Sequence, residues 1–112
     1  MSVSETDIEA VSKFPRIKLK DIEMAIMGVH YFHPAEALND PGGYPKDNAL
    51  WTTTMCAIEL SNGYVVYGKS TPASAKNFDE KIGQRLAYED AVRQVWPLMG
   101  FMLRQKLHDA GE

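Results

Sequence analysis

The chain has 112 residues, which is enough for one compact domain and short for two. Its composition, 45% hydrophobic and 24% charged, is typical of a globular protein that buries a core. The formal net charge of −3 argues against a binder of duplex DNA or RNA, because such proteins neutralise phosphates with a basic face. A small anionic ligand is not excluded, since two or three Arg residues suffice to hold one. The single cysteine, Cys56, excludes an internal disulfide and indicates a reducing compartment.

Residues 1–16 form a polar, acidic leader without a signal-peptide pattern, and a short helix is expected near residues 8–11. No apolar run approaches the ~20 residues that span a bilayer. Apolar residues then recur at helical spacing, which predicts an amphipathic helix from Lys20 to about His30. These residues are Leu19, Ile22, Ala25, Ile26 and Val29. Residues 39–50 are rich in Gly, Pro, Asn and Asp, which predicts a mobile loop.

Two runs rich in β-branched and aromatic residues, 51–60 and 64–70, flank the pair Asn62-Gly63. Asn-Gly between such runs is the strongest short-range hairpin signal, because a type I′ turn requires positive φ at both of its central positions. The sequence therefore predicts an antiparallel hairpin. Since an isolated hairpin is marginal in water, we expect helices to cover it or strands from a partner chain to extend it.

The last block predicts two helices. Asn77 is expected to be the N-cap of the first, with Asp79 and Glu80 in its first turn. Pro97 lacks a backbone donor and disfavours helical backbone at Trp96, so a break is expected at Trp96-Pro97. The predicted fold class is α+β, in one domain spanning 1–112. It comprises an amphipathic N-terminal helix, a central hairpin and two C-terminal helices, and it is completed by oligomerisation.

No catalytic or metal-binding motif emerges from the spacing of reactive residues. His30 and His33 are three residues apart, but no carboxylate or cysteine is placed to complete a zinc site. Cys56 lies in the middle of a predicted strand and is interpreted as a small core residue. No phosphate-binding pattern surrounds Gly42-Gly43. We therefore expect neither a metal nor another cofactor, and no enzyme activity.

Arginine and aromatic residues together indicate a binding function. Arg85 and Arg93 lie eight residues apart on one predicted helix, and Arg104 lies on the next. Arginine beside rings such as Tyr67 and Phe78 suits a nucleotide, whose base stacks while guanidinium groups hold its phosphates. The ordinary alternative is that Phe78 belongs to the core and that the arginines are solvated. The residues alone therefore indicate a soluble α+β domain for ligand binding or protein interaction.

Three stretches carry a more specific pattern. They are residues 15–32, the hairpin over residues 60–68, and the run from Asn77-Phe78-Asp79 through Ile82-Gly83 and Trp96-Pro97-Leu98 to Leu103. Together they cover most of the chain, and the third stretch is the most specific. This pattern resembles a family of small proteins of tailed phages and prophages that includes the first Thoeris anti-defence family. Members of that family bind a cyclic ADP-ribose isomer made by a TIR-domain enzyme and keep it from its effector.

The resemblance implies a phage anti-defence protein that acts in the host cytoplasm and sequesters this nucleotide without cleaving it. It implies a homodimer or higher homo-oligomer that binds neither a nucleic-acid polymer nor a membrane. For some members it also implies binding of cyclic oligonucleotides at a separate site. Two alternatives remain open: an accessory protein that binds a host protein, and an enzyme that hydrolyses the same nucleotide.

On that interpretation, we expect six residues to bind the ligand. Tyr67 or Phe78 would stack on the base and Asn77 would make polar contacts, while the phosphates would contact Arg85, Arg93 and Arg104. Gly83 and Gly100 also match the family pattern, and we interpret both as glycines that permit close helix packing.

Overall fold

The computed structural model describes residues 15–38 and 42–111. In chain order the elements are α1 (Leu19–Ala25), β1 (Ile26–Phe32), α2 (Pro34–Ala37), α3 (Ala49–Thr52), β2 (Thr54–Leu60), β3 (Val65–Ser70), a 3-10 turn (Ala75–Asn77) and α4 (Glu80–Asp109). The strands form one antiparallel sheet in the order β1-β2-β3, and α4 packs mainly on β3 and β2. This confirms the predicted α+β class. The helix expected near residues 8–11 lies outside the described residues, and residues 49–50 of the predicted loop belong to α3.

The prediction of a helix from Lys20 to His30 is wrong in its second half, because α1 ends at Ala25 and β1 follows directly. The pairing of β1 with β2 contains a register shift: Ile26 lies opposite Leu60, but Val29 lies opposite Ile58. Such a bulge inserts an extra residue, so Ile26 and Val29 lie on the same face although they are three residues apart. Residues on one face of a regular strand are two apart. The bulge thus produces a spacing that imitates a helix.

The predicted hairpin is confirmed, but its turn is of another type. Among the described residues only glycines have positive φ, and Gly63 has φ +90° whereas Asn62 does not share this conformation. The Gly63 N–H donates to the Leu60 carbonyl at 2.9 Å, and the Leu60 N–H donates to the Tyr64 carbonyl at 2.8 Å. This pattern is a three-residue loop in which the glycine forms the bulge. The expected type I′ turn is therefore wrong, and the sheet is extended by β1 of the same chain.

The core lies between one face of the sheet and α4. Its buried residues are Ile22 of α1, Cys56, Ile58 and Leu60 of β2, Val66 of β3, and Ala87, Ala91 and Val95 of α4. The alternation along β2 places every second residue against the helix. Small residues at four-residue spacing give α4 a flat face, which allows the helix to approach the sheet closely.

Gly68 of β3 marks the closest approach. A Cβ atom there would lie 2.1 Å from the carbonyl oxygen of Ala87 and 2.3 Å from the nitrogen of Ala91. Gly83 packs closely as expected, since a Cβ would lie 2.6 Å from Thr54 Oγ1. Gly100 has no such contact within the described part of the chain, because apart from the backbone of its own helix no described atom lies within 4 Å of its Cβ position. Gly68 and Gly83 therefore fix how α4 sits on the sheet.

The two predicted C-terminal helices are one continuous helix, α4. Its N-cap is Asp79 rather than Asn77, because the Asp79 side chain accepts a hydrogen bond from the Ile82 N–H at 3.0 Å. Pro97 lies inside the helix, so the expected break at Trp96-Pro97 is wrong. Pro97 deprives the Arg93 carbonyl of the donor that a regular helix supplies. Because Pro97 is exposed, water can hydrate this carbonyl and the helix continues.

The buried hydroxyl of Thr54 leads to a testable prediction about the stability of the fold. Its oxygen is buried and has no hydrogen-bond partner among the described residues. Valine has nearly the same shape and removes the unsatisfied hydroxyl, so Thr54→Val should raise the free energy of unfolding by about 1 kcal/mol. Urea denaturation measures this change. Thr53→Val is the control, because the Thr53 hydroxyl bonds that of Thr71 at 2.7 Å and its loss should not stabilise the protein. A loss of stability in Thr54→Val would contradict the prediction.

Candidate nucleotide-binding groove

A groove of about 640 Å³ lies between β3 and the second half of α4. We call it the β3–α4 groove. It is lined by Tyr64, Val65, Val66, Tyr67, Arg93, Gln94, Pro97, Leu98 and Phe101. Its volume lies in the range of small-molecule sites, roughly 300–1,000 Å³. A larger groove of about 800 Å³ runs between residues 15–18, α1 and the end of α4, but no aromatic ring lines it.

Side chains of α4 form hydrogen bonds with the backbone of β3 along the outer edge of this strand. The Gln94 amide donates to the Tyr67 carbonyl, and Asp90 Oδ2 accepts from the Lys69 N–H at 2.9 Å. An edge strand otherwise leaves a row of backbone groups unpaired. Because these contacts join the helix to the strand backbone, they set the position of Arg93 relative to Tyr67.

The groove combines aromatic rings with a cation. The side chains of Tyr64, Tyr67 and Phe101 are all exposed. Arg93 is also exposed, and its Nη2 donates to Asp90 Oδ1 at 3.0 Å. The guanidinium has five N–H donors, so others remain for a ligand. Rings that can stack on a base, next to a cation that can bind phosphate, are the two requirements of a nucleotide site.

Tyr67 and Arg93 are the two predicted site residues that line this groove. Arg85 pairs with Glu89 at 3.9 Å and lies about 12 Å from Arg93 along the helix. Arg104 lies about 16 Å beyond Arg93 in the other direction. Within one chain, the three arginines therefore do not converge on one ligand.

Asn77 and Phe78 lie at the opposite end of the molecule from the groove, just before α4 begins. Asn77 is exposed at the end of the 3-10 turn. Phe78 is half-buried, and its ring meets the ring of His33 edge to face at 5.6 Å between centroids. These contacts place Phe78 in the packing around His33, apart from the residues of the β3–α4 groove.

Sequence reasoning missed Tyr64, Gln94, Pro97 and Phe101 as groove residues. Gln94 and Phe101 are seven residues apart, which is two helical turns, so they lie on the same side of α4. This spacing places the two residues on the same side only if the helix continues through Pro97. The predicted break at Trp96-Pro97 therefore concealed the half of the groove that α4 supplies.

Residues 17–107 match the phage protein (N4 Gp49/phage Sf6 gene 66) family. The chain belongs to this family. The matched residues include all of the β3–α4 groove. Comparison with curated proteins and with solved structures gives no match. Within the described ranges 15–38 and 42–111, no helix of this phage protein is both long and apolar enough to cross a membrane.

The reactive side chains of this phage protein have structural partners. Burial raises the pKa of the Cys56 thiol to about 11, so the thiol is protonated at neutral pH, and Cys56 packs in the core as interpreted. His30 contacts Glu59 at 3.2 Å, whereas His33 contacts Glu80 at 3.0 Å. The part of the chain that the structure describes contains no group of three potential metal ligands.

His33 joins the end of β1 to the start of α4. It is 8% exposed, its Nδ1 lies 2.7 Å from the Thr53 carbonyl, and its Nε2 lies 3.0 Å from the Glu80 carboxylate. Both partners are acceptors, so both ring nitrogens donate, which requires the charged imidazolium. Burial lowers the pKa of His33, but the hydrogen bonds to Thr53 and Glu80 outweigh it, and the pKa is raised. Glu36 adds to this rise through its charge.

The raised pKa of His33 predicts how the stability of the fold changes with pH. A group whose pKa is higher in the folded state stabilises the fold fully below its unfolded pKa, about 6.5 for His, and loses this contribution as the pH rises through the folded value. We expect His33→Gln to cost about 1–2 kcal/mol near pH 5.5 and less at pH 8.5. Urea denaturation of both proteins across this range measures the difference. His30→Gln is the control, since its pair with Glu59 is exposed and contributes little.

Proposed function

We propose that this phage protein binds a cyclic ADP-ribose isomer made by TIR-domain immune enzymes and sequesters it in the host cytoplasm without cleaving it. The observation that supports this function best is the β3–α4 groove, where Arg93 lies among Tyr64, Tyr67 and Phe101. The adenine would stack on a ring, and the pyrophosphate would bind the Arg93 guanidinium. The resemblance to the Thoeris anti-defence proteins includes Tyr64, Tyr67 and Phe101 of the groove but not Arg93, and it suggests the nucleotide.

The polar side chains of the groove suit binding rather than hydrolysis. They belong to Tyr64, Tyr67, Arg93 and Gln94. Among the described residues that line the groove, none is a carboxylate, a histidine or a cysteine, which are the usual groups for proton transfer and nucleophilic attack. The Asp90 carboxylate, which contacts Arg93, already accepts hydrogen bonds from the Lys69 N–H and from Arg93. A protein that only sequesters a signal requires tight binding and no chemical step.

We also propose that the protein forms a homodimer or higher homo-oligomer. Residues 100–109 of α4, which we call the overhang, lie beyond the last α4 residues that pack against the core and contain no buried residue, and Phe101 and Met102 are 71% and 59% exposed. Exposed apolar patches of this kind mark interfaces. A second copy would cover the overhang, narrow the open groove and bring a further arginine to it. Covering the open groove would strengthen ligand binding. This matters because capture with a nanomolar Kd requires a binding free energy of about −12 kcal/mol.

A depletion assay tests the proposed function. The protein is incubated with the cyclic ADP-ribose isomer, the free nucleotide is separated by filtration and quantified, and the retained fraction is then heated. Intact nucleotide that appears only after heating supports sequestration. Degraded nucleotide supports a hydrolase instead. Cyclic oligonucleotides are tested in parallel, because the resemblance implies a separate site for them in some members.

The second candidate function is binding of a host protein, which the exposed overhang favours. The same assay separates the two functions, because a protein inhibitor would leave the nucleotide undepleted. Substitution of Phe101 and Met102 by Ser would then abolish capture of the host partner. In a sequestering oligomer, the same substitutions would also change the molar mass in solution.

A further inference from the structure

The carboxylate of Asp90 contacts Arg93, one of the residues that line the β3–α4 groove, and is held by two hydrogen bonds. Oδ2 accepts the Lys69 N–H at 2.9 Å, and Oδ1 accepts from Arg93 Nη2 at 3.0 Å. The hydrogen bond from Lys69 is the main cause that lowers the pKa of Asp90, and the nearby Arg93 contributes. Asp90 is thus a fixed negative charge next to the cation that would bind phosphate.

A ligand that binds Arg93 cannot avoid this charge. An oxygen that accepts one of the other Arg93 N–H groups would lie about 6–7 Å from the Asp90 carboxylate, given ordinary hydrogen-bond lengths. At this distance in water, each negative charge on the ligand weakens binding about two- to threefold. Salt screens the effect. The orienting effect of Asp90 on Arg93 is the same for every ligand, so only the repulsion distinguishes one ligand from another.

We propose that Asp90 makes the groove select nucleotides by charge, favouring ligands whose phosphates are all bridged over ligands with a terminal phosphate. This inference rests on the proposed function. A bridged phosphate carries about −1, whereas a terminal phosphate carries about −1.5 to −2 at pH 7. A cyclic ADP-ribose isomer thus carries about two negative charges and ATP about four. Arg93 alone would favour the more highly charged ligand, such as ATP in the absence of Mg²⁺.

Asp90→Asn tests this role. The Asn oxygen can still accept the Lys69 N–H, but the amide NH2 then replaces Oδ1 and cannot accept from Arg93, so the hydrogen bond to Arg93 is lost together with the charge, for both ligands alike. Glu89→Gln is the matched control, because it removes the same charge from the adjacent residue. The Glu89 carboxylate pairs with Arg85 and lies outside the groove. Thermal melting of both variants verifies that they fold as the original protein does.

The measurement is the ratio of the Kd for ATP to the Kd for the cyclic ADP-ribose isomer, by calorimetry at low ionic strength. We expect Asp90→Asn, measured without Mg²⁺, to lower this ratio about three- to fivefold, because one extra charge lies about 6–7 Å from Asp90 and the second lies farther away. Glu89→Gln should change it less than about twofold, and salt should reduce the Asp90→Asn effect. Equal shifts in both variants, or no shift in either, would overturn the charge selection. Failure of the original protein to bind either nucleotide would instead refute the proposed function and remove this inference with it.

Discussion

Gly68→Ala is expected to lower the free energy of unfolding by at least about 3 kcal/mol. The added Cβ would lie 2.1 Å from the Ala87 carbonyl oxygen and 2.3 Å from the Ala91 nitrogen. Both are backbone atoms of α4, so no side-chain rotation relieves the overlap and the helix must move away from β3. Because this movement also separates Gln94 from Tyr67, the variant should lose ligand binding as well as stability. Urea denaturation and the depletion assay measure the two effects.

Gly100→Ala is the matched control on the same helix. Apart from the backbone of its own helix, no described atom lies within 4 Å of its Cβ position, and alanine is favoured over glycine inside a helix. We expect this variant to gain about 0.5–1 kcal/mol of stability. If the two substitutions changed stability by similar amounts, the close packing of α4 on β3 at Gly68 would be contradicted.

The sequence correctly predicted those elements that depend on residues close together in the chain. The runs around Asn62-Gly63 are rich in β-branched and aromatic residues, and they form β2 and β3, although β2 begins at Thr54 because Trp51 and Thr52 of the first run belong to α3. The chemistry of Gly63 also placed the turn, although the loop has three residues and one positive φ. Asp79 competes with Asn77 for the cap, and the position of the first helical hydrogen bonds decides between them. A sequence pattern alone does not fix such a boundary.

The features that sequence reasoning missed depend on contacts between distant residues. β1 forms because β2 offers it a partner, and the bulge between Ile26 and Gly28 gives its apolar residues a helical spacing. Pro97 is tolerated because it faces solvent and α4 is held on the sheet by Gly83, Ala87 and other small residues. The β3–α4 groove depends on the second outcome, because α4 residues on both sides of Pro97 line it. Tyr67 and Arg93 could therefore be predicted as candidates, but their meeting with Tyr64 and Phe101 could not.

Arg93→Ala is expected to weaken binding of the cyclic ADP-ribose isomer about 30- to 100-fold, equivalent to about 2–2.7 kcal/mol. The guanidinium is the cation of the β3–α4 groove, and its hydrogen bonds to phosphate are charge-assisted. Stability should change little, because the Arg93 side chain is 68% exposed and Asp90 keeps its hydrogen bond from the Lys69 N–H. Calorimetric titration gives the Kd, and thermal melting verifies folding.

Arg85→Ala is the control with the same loss of side chain and charge. Arg85 pairs with Glu89 on the exposed surface of α4, about 12 Å from Arg93, so its loss should weaken binding about twofold or less. Equal losses in the two variants would contradict the groove as the site. If Arg104→Ala and Arg93→Ala, as separate variants, both weakened ligand binding strongly, the conclusion would be different. Within one chain these arginines are about 16 Å apart, so a shared effect on one ligand would require a site completed by the α4 of a second copy.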